Sequence, residues 1–191
     1  MLSGATAIAS AGDVSMGVVE GAHALTLSGV QIALGAVSAA SLSAAGDLIA
    51  HAGIVTQGAQ SFVGNVTLAG DFDASSFLVT GHSTLAGDTS VAASDISLGS
   101  AEGGHALALN GGTITLGAVN LASMTATGNS VSAGSVTTSG DQSYTGATSL
   151  GGRYAASAFT VDGAVSLTVD TLIATPGDIA LGAVSGVRAL T

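Results

Sequence analysis

Apolar residues alternate with small polar ones from end to end of the chain. The runs Leu25-x-Leu27, Ile32-x-Leu34, Val66-x-Leu68, Ile96-x-Leu98, Leu107-x-Leu109, Ile114-x-Leu116, Val165-x-Leu167 and Ile179-x-Leu181 all have period two. That period places the apolar side chains on one face of a β-strand. Gly, Asn, Asp or Ser interrupts the alternation every few residues, which is the chemistry of tight turns. No segment carries a helical stripe with a cap. The most helix-tolerant run, 36–45, has a counterpart at 118–127 that contains Asn120, Thr125 and Thr127, so it reads as strand and turn.

The alternation sits inside a longer repeat. The segment 20–37 begins Glu-Gly-Ala-His-Ala-Leu, and 102–119 begins Glu-Gly-Gly-His-Ala-Leu. The rare residue types Glu20/Glu102, His23/His105 and Phe77/Phe159 coincide at this shift, which chance similarity in an Ala/Gly/Ser-rich chain would not produce. Full units run over 13–94 and 95–177, with partial copies at 1–12 and 178–191. The whole chain, 1–191, reads as one segment.

Many short strands could form a sandwich, a barrel or a solenoid. A sequence repeat fits stacking, in which each unit contacts only its neighbours. An interior of Leu, Ile, Val and Ala suits a narrow stacked core. The expectation is therefore an all-β β-solenoid with about 20 residues per coil. At about 4.8 Å per coil, nine or so coils make a rod of roughly 45 Å.

Composition narrows the function. The chain is 47% hydrophobic but 3% aromatic and 7% charged, with a net charge of -10. Its strong bases are Arg153 and Arg188. Nucleic-acid binding needs many cations to neutralise phosphates, and an anionic membrane surface attracts basic segments, so neither partner is expected. The uncharged run 24–46 is broken by Ser, Gly, Thr and Gln too often for a transmembrane helix, and aromatic girdles of a membrane barrel are missing. No membrane insertion is expected. Without cysteine there are no disulfides, thiolate metal sites or Cys nucleophiles. The N-terminal residues lack the basic region of a signal peptide.

The pattern Gly-x-Gln-Ser-aromatic-x-Gly occurs at 58–64 and again at 140–146. Followed each time by a strand, it resembles the repeats of large secreted bacterial surface proteins of the filamentous-haemagglutinin type. The texture of 42–48 and 133–136 is similar. The resemblance implies a right-handed parallel β-helix, export to the bacterial cell surface, and a role as an adhesin shaft or matrix fibre. The signal and secretion domains of full-length members are not in this chain.

Candidate chemistry is sparse. Asp13, Asp95 and Asp178 share one repeat position and are the candidates for a stacked calcium-binding row. Calcium takes six to eight oxygen ligands, so an Asp bonding its own turn is the plainer reading. Asp88 and Asp170 read the same way. His23 and His105 recur, but Arg188 takes the third place, which a metal row would not tolerate. His51 and His82 do not recur and read as surface residues. Glu20 and Glu102 lack an identifiable acid–base partner. Phe62, Phe77, Tyr144 and Phe159 recur pairwise, and Phe72 aligns with Tyr154; they could form a sugar-binding ladder or pack inside.

The expected function is non-enzymatic. The chain reads as a structural repeat segment of a secreted cell-surface fibre or adhesin that stacks end to end with itself, without cofactor. Host or matrix glycans form a second class of partner. The alternatives are a flat face that binds carbohydrate or ice, and a polysaccharide-active β-helix enzyme. Thr113-x-Thr115 and Thr125-x-Thr127 suit an ice-binding row, but Gln31-x-Ala33 and Ser43-x-Ala45 replace them in the other unit.

Overall fold

The computed structural model describes residues 1–50 and 53–191. Among these the chain is all β, with eighteen strands, no helix, and parallel pairing between successive turns of a β-solenoid. The solenoid has about ten turns. The pairing register measures the coil directly. Leu25 pairs with Leu42, Leu42 with Gln60, and Gln60 with Phe77. The shortest step runs from Gln31 to Asp47 and the longest from Phe159 to Ile179. Only that longest step reaches the coil length expected from the sequence; the typical coil is two or three positions shorter. Small corner residues turn the chain more tightly than average turn chemistry suggests.

Each coil presents three faces, and each face is a vertical stack of inward side chains. The first contains Leu25, Leu42, Gln60 and Phe77, then Ile96, Ile114, Val131, Thr148, Val165 and Val184. The two halves join inside the long strand Ser76–Glu102, where the Ser94 N–H donates to the Ser75 carbonyl on the coil below (3.0 Å). The second face runs Val14, Ile32, Leu48, Val66, Ser83, and then Ala101, Val119, Val136, Tyr154, Ile173. The third runs Val19, Val37, Ile54, Phe72, Val91, Leu109, Ala126, Tyr144, Val161, Leu181. Nearly all of these are buried, so the alternating pattern of the sequence becomes one continuous core.

The sequence repeat and the coil are not commensurate. From Leu25 to Leu107 the chain passes fourteen faces, which is four coils and two faces more. Leu25 lies on the first face, whereas its counterpart Leu107, opposite Thr89 and Met124, lies on the third. Ile32 of the second face is matched by Ile114 of the first, and Val37 of the third by Val119 of the second. Every repeated residue is therefore displaced round the solenoid by one face per unit.

The corners show the same displacement. Gly12, Gly29, Gly46, Gly64, Gly81, Gly99, Gly117 and Gly134 form a column at the corner between the first and second faces. Their counterparts Gly111, Gly128, Gly146, Gly163 and Gly182 form a second column between the third and first faces. In both, a Cβ would point along the axis at the carbonyl below; a methyl on Gly117 would fall onto the Gly99 oxygen. Coils spaced about 4.8 Å apart leave no room for it. Gly111 and Gly112 do not break the ladder, as a turn would: they lie inside the strand Ala106–Leu121, which bends round the corner unbroken.

The aromatic residues are inside. Phe62, Phe72, Phe77, Tyr144, Tyr154 and Phe159 are each at most 1% exposed. They form two trios, one per repeat: Phe77 lies edge-on to Phe62 (5.5 Å) and Phe72 (5.6 Å), and Phe159 lies 5.4 Å from both Tyr144 and Tyr154. The interior is thus not purely aliphatic. Beside each trio a buried glutamine ties neighbouring corners together. Gln60 Nε2 donates to the carbonyls of Ile54 and Asp73 (both 2.9 Å); Gln142 Nε2 donates to those of Val136 (3.2 Å) and Ala155 (2.8 Å). The Gly-x-Gln-Ser-aromatic-x-Gly pattern is therefore a core-bracing device in this chain.

Candidate functional site

The one-face displacement decides which repeated residues can act together. Asp13 precedes Val14 on the second face, Asp95 precedes Ile96 on the first, and Asp178 precedes Ile179 on the third. All three are exposed, on three different sides of the molecule. They cannot form a row. Among the described residues no group of three or more His, Cys, Asp or Glu is placed to hold a metal ion. His23, His105 and Arg188 are dispersed in the same way, preceding Leu25, Leu107 and Leu190 on the first, third and second faces. His51 lies outside the described residues.

Asp88 and Asp170 have a structural partner rather than a ligand. Both sit in bulges, where the register slips between Leu85 and Thr89 and opposite the step from Leu150 to Gly152. Asp88 Oδ1 accepts the Ala106 N–H and Asp170 Oδ1 accepts the Ala189 N–H, each 3.0 Å away on the coil above. The expected turn bond is thus a bond to the next coil. His105 Nδ1 stands 3.7 Å from Asp88 Oδ1 at the surface.

Outward rows follow the coil and not the repeat. Ser97, Thr115, Ser132, Ser149, Ser166 and Ser185 lie directly above one another on the first face. Ser149 and Ser166 share a hydrogen bond of 2.9 Å. This hydroxyl row includes Thr115, but its other members come from positions that the sequence repeat does not relate to it.

A cluster that combines nucleophile, base and acid types lies at the second face. His82 and Ser100 face outward on adjacent coils, and Glu102 follows Ser100 by two positions on the same side of the strand Ser76–Glu102. His82 Nδ1 lies 2.7 Å from Ser100 Oγ, and His82 Nε2 lies 3.0 Å from Glu102 Oε1. An ionised carboxylate only accepts, so Glu102 holds a ring proton on Nε2, and in the neutral imidazole this leaves Nδ1 as acceptor for the Ser100 hydroxyl. The imidazole is 38% exposed and the Glu102 side chain 57%. Below, the His82 backbone N–H donates to Asn65 Oδ1 at 3.4 Å.

By sequence alone His82 stands as an isolated surface residue and Glu102 has no partner. They are separated by one coil plus two positions, so only the coil length reveals that they meet. One repeat earlier, Glu20 borders a groove of about 650 Å³ with Val18 where Ser100 stands in the second unit. No helix of the described residues is long and apolar enough to cross a membrane. No protein-family model, curated protein or solved structure matches the chain, so its likeness to filamentous-haemagglutinin-type repeats rests on the texture of the sequence alone.

Proposed function

We propose that the chain is a structural segment of a β-solenoid shaft from a secreted or cell-surface bacterial fibre, and that it stacks end to end with further copies of itself. The observation that carries this reading is the uncovered last coil. Ile179, Val184 and Leu190 continue the stacks of Phe159, Val165 and Thr171, yet they are 40–50% exposed. One coil lower, Phe159, Val165 and Thr171 are buried by the coil that packs on them, and the strand edges of the last coil carry unpaired backbone groups. A low charge content and one continuous stacked core suit a load-bearing rod. A right-handed winding goes with this reading, because parallel crossovers are right-handed in nearly all sheets.

Light scattering across a concentration series tests the proposal. Assemblies that grow with concentration are expected, and Ile179→Lys combined with Val184→Lys should return the chain to monomers. Strict monomers of the unsubstituted chain at high concentration would remove it.

The hydroxyl row on the first face favours a second reading, a flat binding surface for carbohydrate or ice. Six hydroxyls at about 4.8 Å spacing offer a regular donor–acceptor lattice. Thermal hysteresis, and retention on insoluble glycans, are the readouts; replacing Thr115, Ser132 and Ser149 with Lys should abolish either.

A further inference from the structure

We propose that Ser100 is a nucleophile activated by His82, and that it accepts an acyl group from small reactive esters at the second face. The inference is independent of end-to-end stacking. It rests on geometry and on where the repeat is broken.

The geometry suits general-base activation by the neutral ring. With the proton of that ring on Nε2, against Glu102, Nδ1 presents its electron pair to the Ser100 hydroxyl 2.7 Å away. Attack of Oγ on an ester carbonyl forms an Oγ–C bond and breaks the bond to the leaving alkoxide. The Ser100 proton passes to Nδ1 and from there to the alkoxide. Water, the co-reactant, then attacks the acyl-serine with Nδ1 again taking a proton, and releases a carboxylic acid and free Ser100. Glu102 is a positioning residue: it touches the ring and not the ester.

Access is open. Ser100 is bordered by Gly99 on its own strand, by Gly81 on the coil below and by Ala118 on the coil above. Short neighbours on an exposed face suit a small acyl group rather than a deep-bound substrate.

The constellation occurs where the repeat departs from itself. The positions equivalent to Ser100 hold Val18 and Ala183, that of His82 holds Ala164, and that of Glu102 in the third copy holds Ser185. The glycines just before His82 and Ser100 are kept: Gly81 recurs as Gly163, and Gly99 as Gly17 and Gly182. Two polar residues that the other copies lack are brought into hydrogen-bond contact on adjacent coils.

The test uses the full chain and a fluorophosphonate probe, which forms an Oγ–P bond and expels fluoride, followed by peptide mapping. General-base assistance contributes roughly 10²–10⁴. Water competes for the half-exposed His82–Glu102 hydrogen bond, which places the expected gain at the low end. Ser100 should label at least about tenfold faster than any other serine. Ser100→Ala should remove that adduct, and His82→Ala should reduce labelling at Ser100 to the rate of the other serines. Hydrolysis of p-nitrophenyl acetate should fall by the same factor in both. Glu102→Ala, which leaves Nε2 without an acceptor, should weaken labelling and shift the Nε2–H signature of His82 in nitrogen NMR, with an unchanged thermal transition. Labelling of Ser100 at the rate of bystander serines, or labelling insensitive to His82→Ala, would overturn the proposal.

Discussion

At residue scale the two buried glutamines make a natural experiment. Tyr144 donates its hydroxyl to Gln142 Oε1 at 3.1 Å, so the second copy of the brace is satisfied at both ends of the amide. The first copy has Phe62 at that place, and Gln60 Oε1 is left without a partner. A buried acceptor without a bond costs roughly 1–3 kcal/mol. Phe62→Tyr should therefore raise stability by about 1 kcal/mol, since the ring lies at nearly the same distance from the central phenylalanine of its trio as Tyr144 does. Tyr144→Phe should lower it by roughly 1–3 kcal/mol. Urea unfolding measures both, and a loss in Phe62→Tyr would refute the account of the orphaned oxygen.

The two tyrosines also set the alkaline limit of the fold. Burial pushes Tyr144 well above the usual phenol range, reinforced by the nearby Tyr154, and pushes Tyr154 up to about 12 despite the lowering effect of the hydrogen bond from the Gly151 N–H. Both stay protonated in the fold while the unfolded chain begins to ionise near pH 10. Between about pH 10 and 12 the native state binds more protons, so stability falls as pH rises. Below pH 10 this contribution is fully present. Tyrosinate absorbance should appear together with the loss of the β signal in circular dichroism. Tyr144→Phe with Tyr154→Phe should flatten the decline.

At the scale of the element, corners decide more than strands. The strands tolerate exchange: Met124 stands where the first unit has Leu42, and Thr148 where it has Val66. The glycine columns do not, because a side chain there meets the backbone of the coil below. Gly117→Ala should cost about 3 kcal/mol or more, among the largest effects of a single substitution. Gly104→Ala is the control: nothing stands within 4 Å of its Cβ and its φ is ordinary, so its effect should lie within about 0.5 kcal/mol. Thermal melts of the two variants separate the roles.

This is also where legibility in the sequence ends. The alternation at Leu25-x-Leu27 or Ile114-x-Leu116 announces an inward pair wherever it occurs, because period two is a property of the local backbone. The coil length is not local. It depends on how sharply glycine corners bend and on bulges such as the one between Leu85 and Thr89, which no periodic pattern marks. Aligning the repeats puts Asp13 with Asp95 and His23 with His105, residues the fold keeps on separate sides. The same alignment does not bring His82 to Ser100, since they are related by the coil and not by the repeat.

At the scale of the whole molecule, the mismatch between repeat and coil acts as a vernier. One unit advances four and two-thirds turns, roughly 22 Å along the axis at the usual strand spacing. Three units complete fourteen turns, roughly 67 Å, before any motif returns to the side on which it began. An array of such units would carry each surface feature up a three-start staircase. No side would be bare, and like-charged residues such as Asp13, Asp95 and Asp178 would never stand one above another in a repelling file. A partner that reads a single motif would find it from every direction of approach. One that needs two copies side by side would find none.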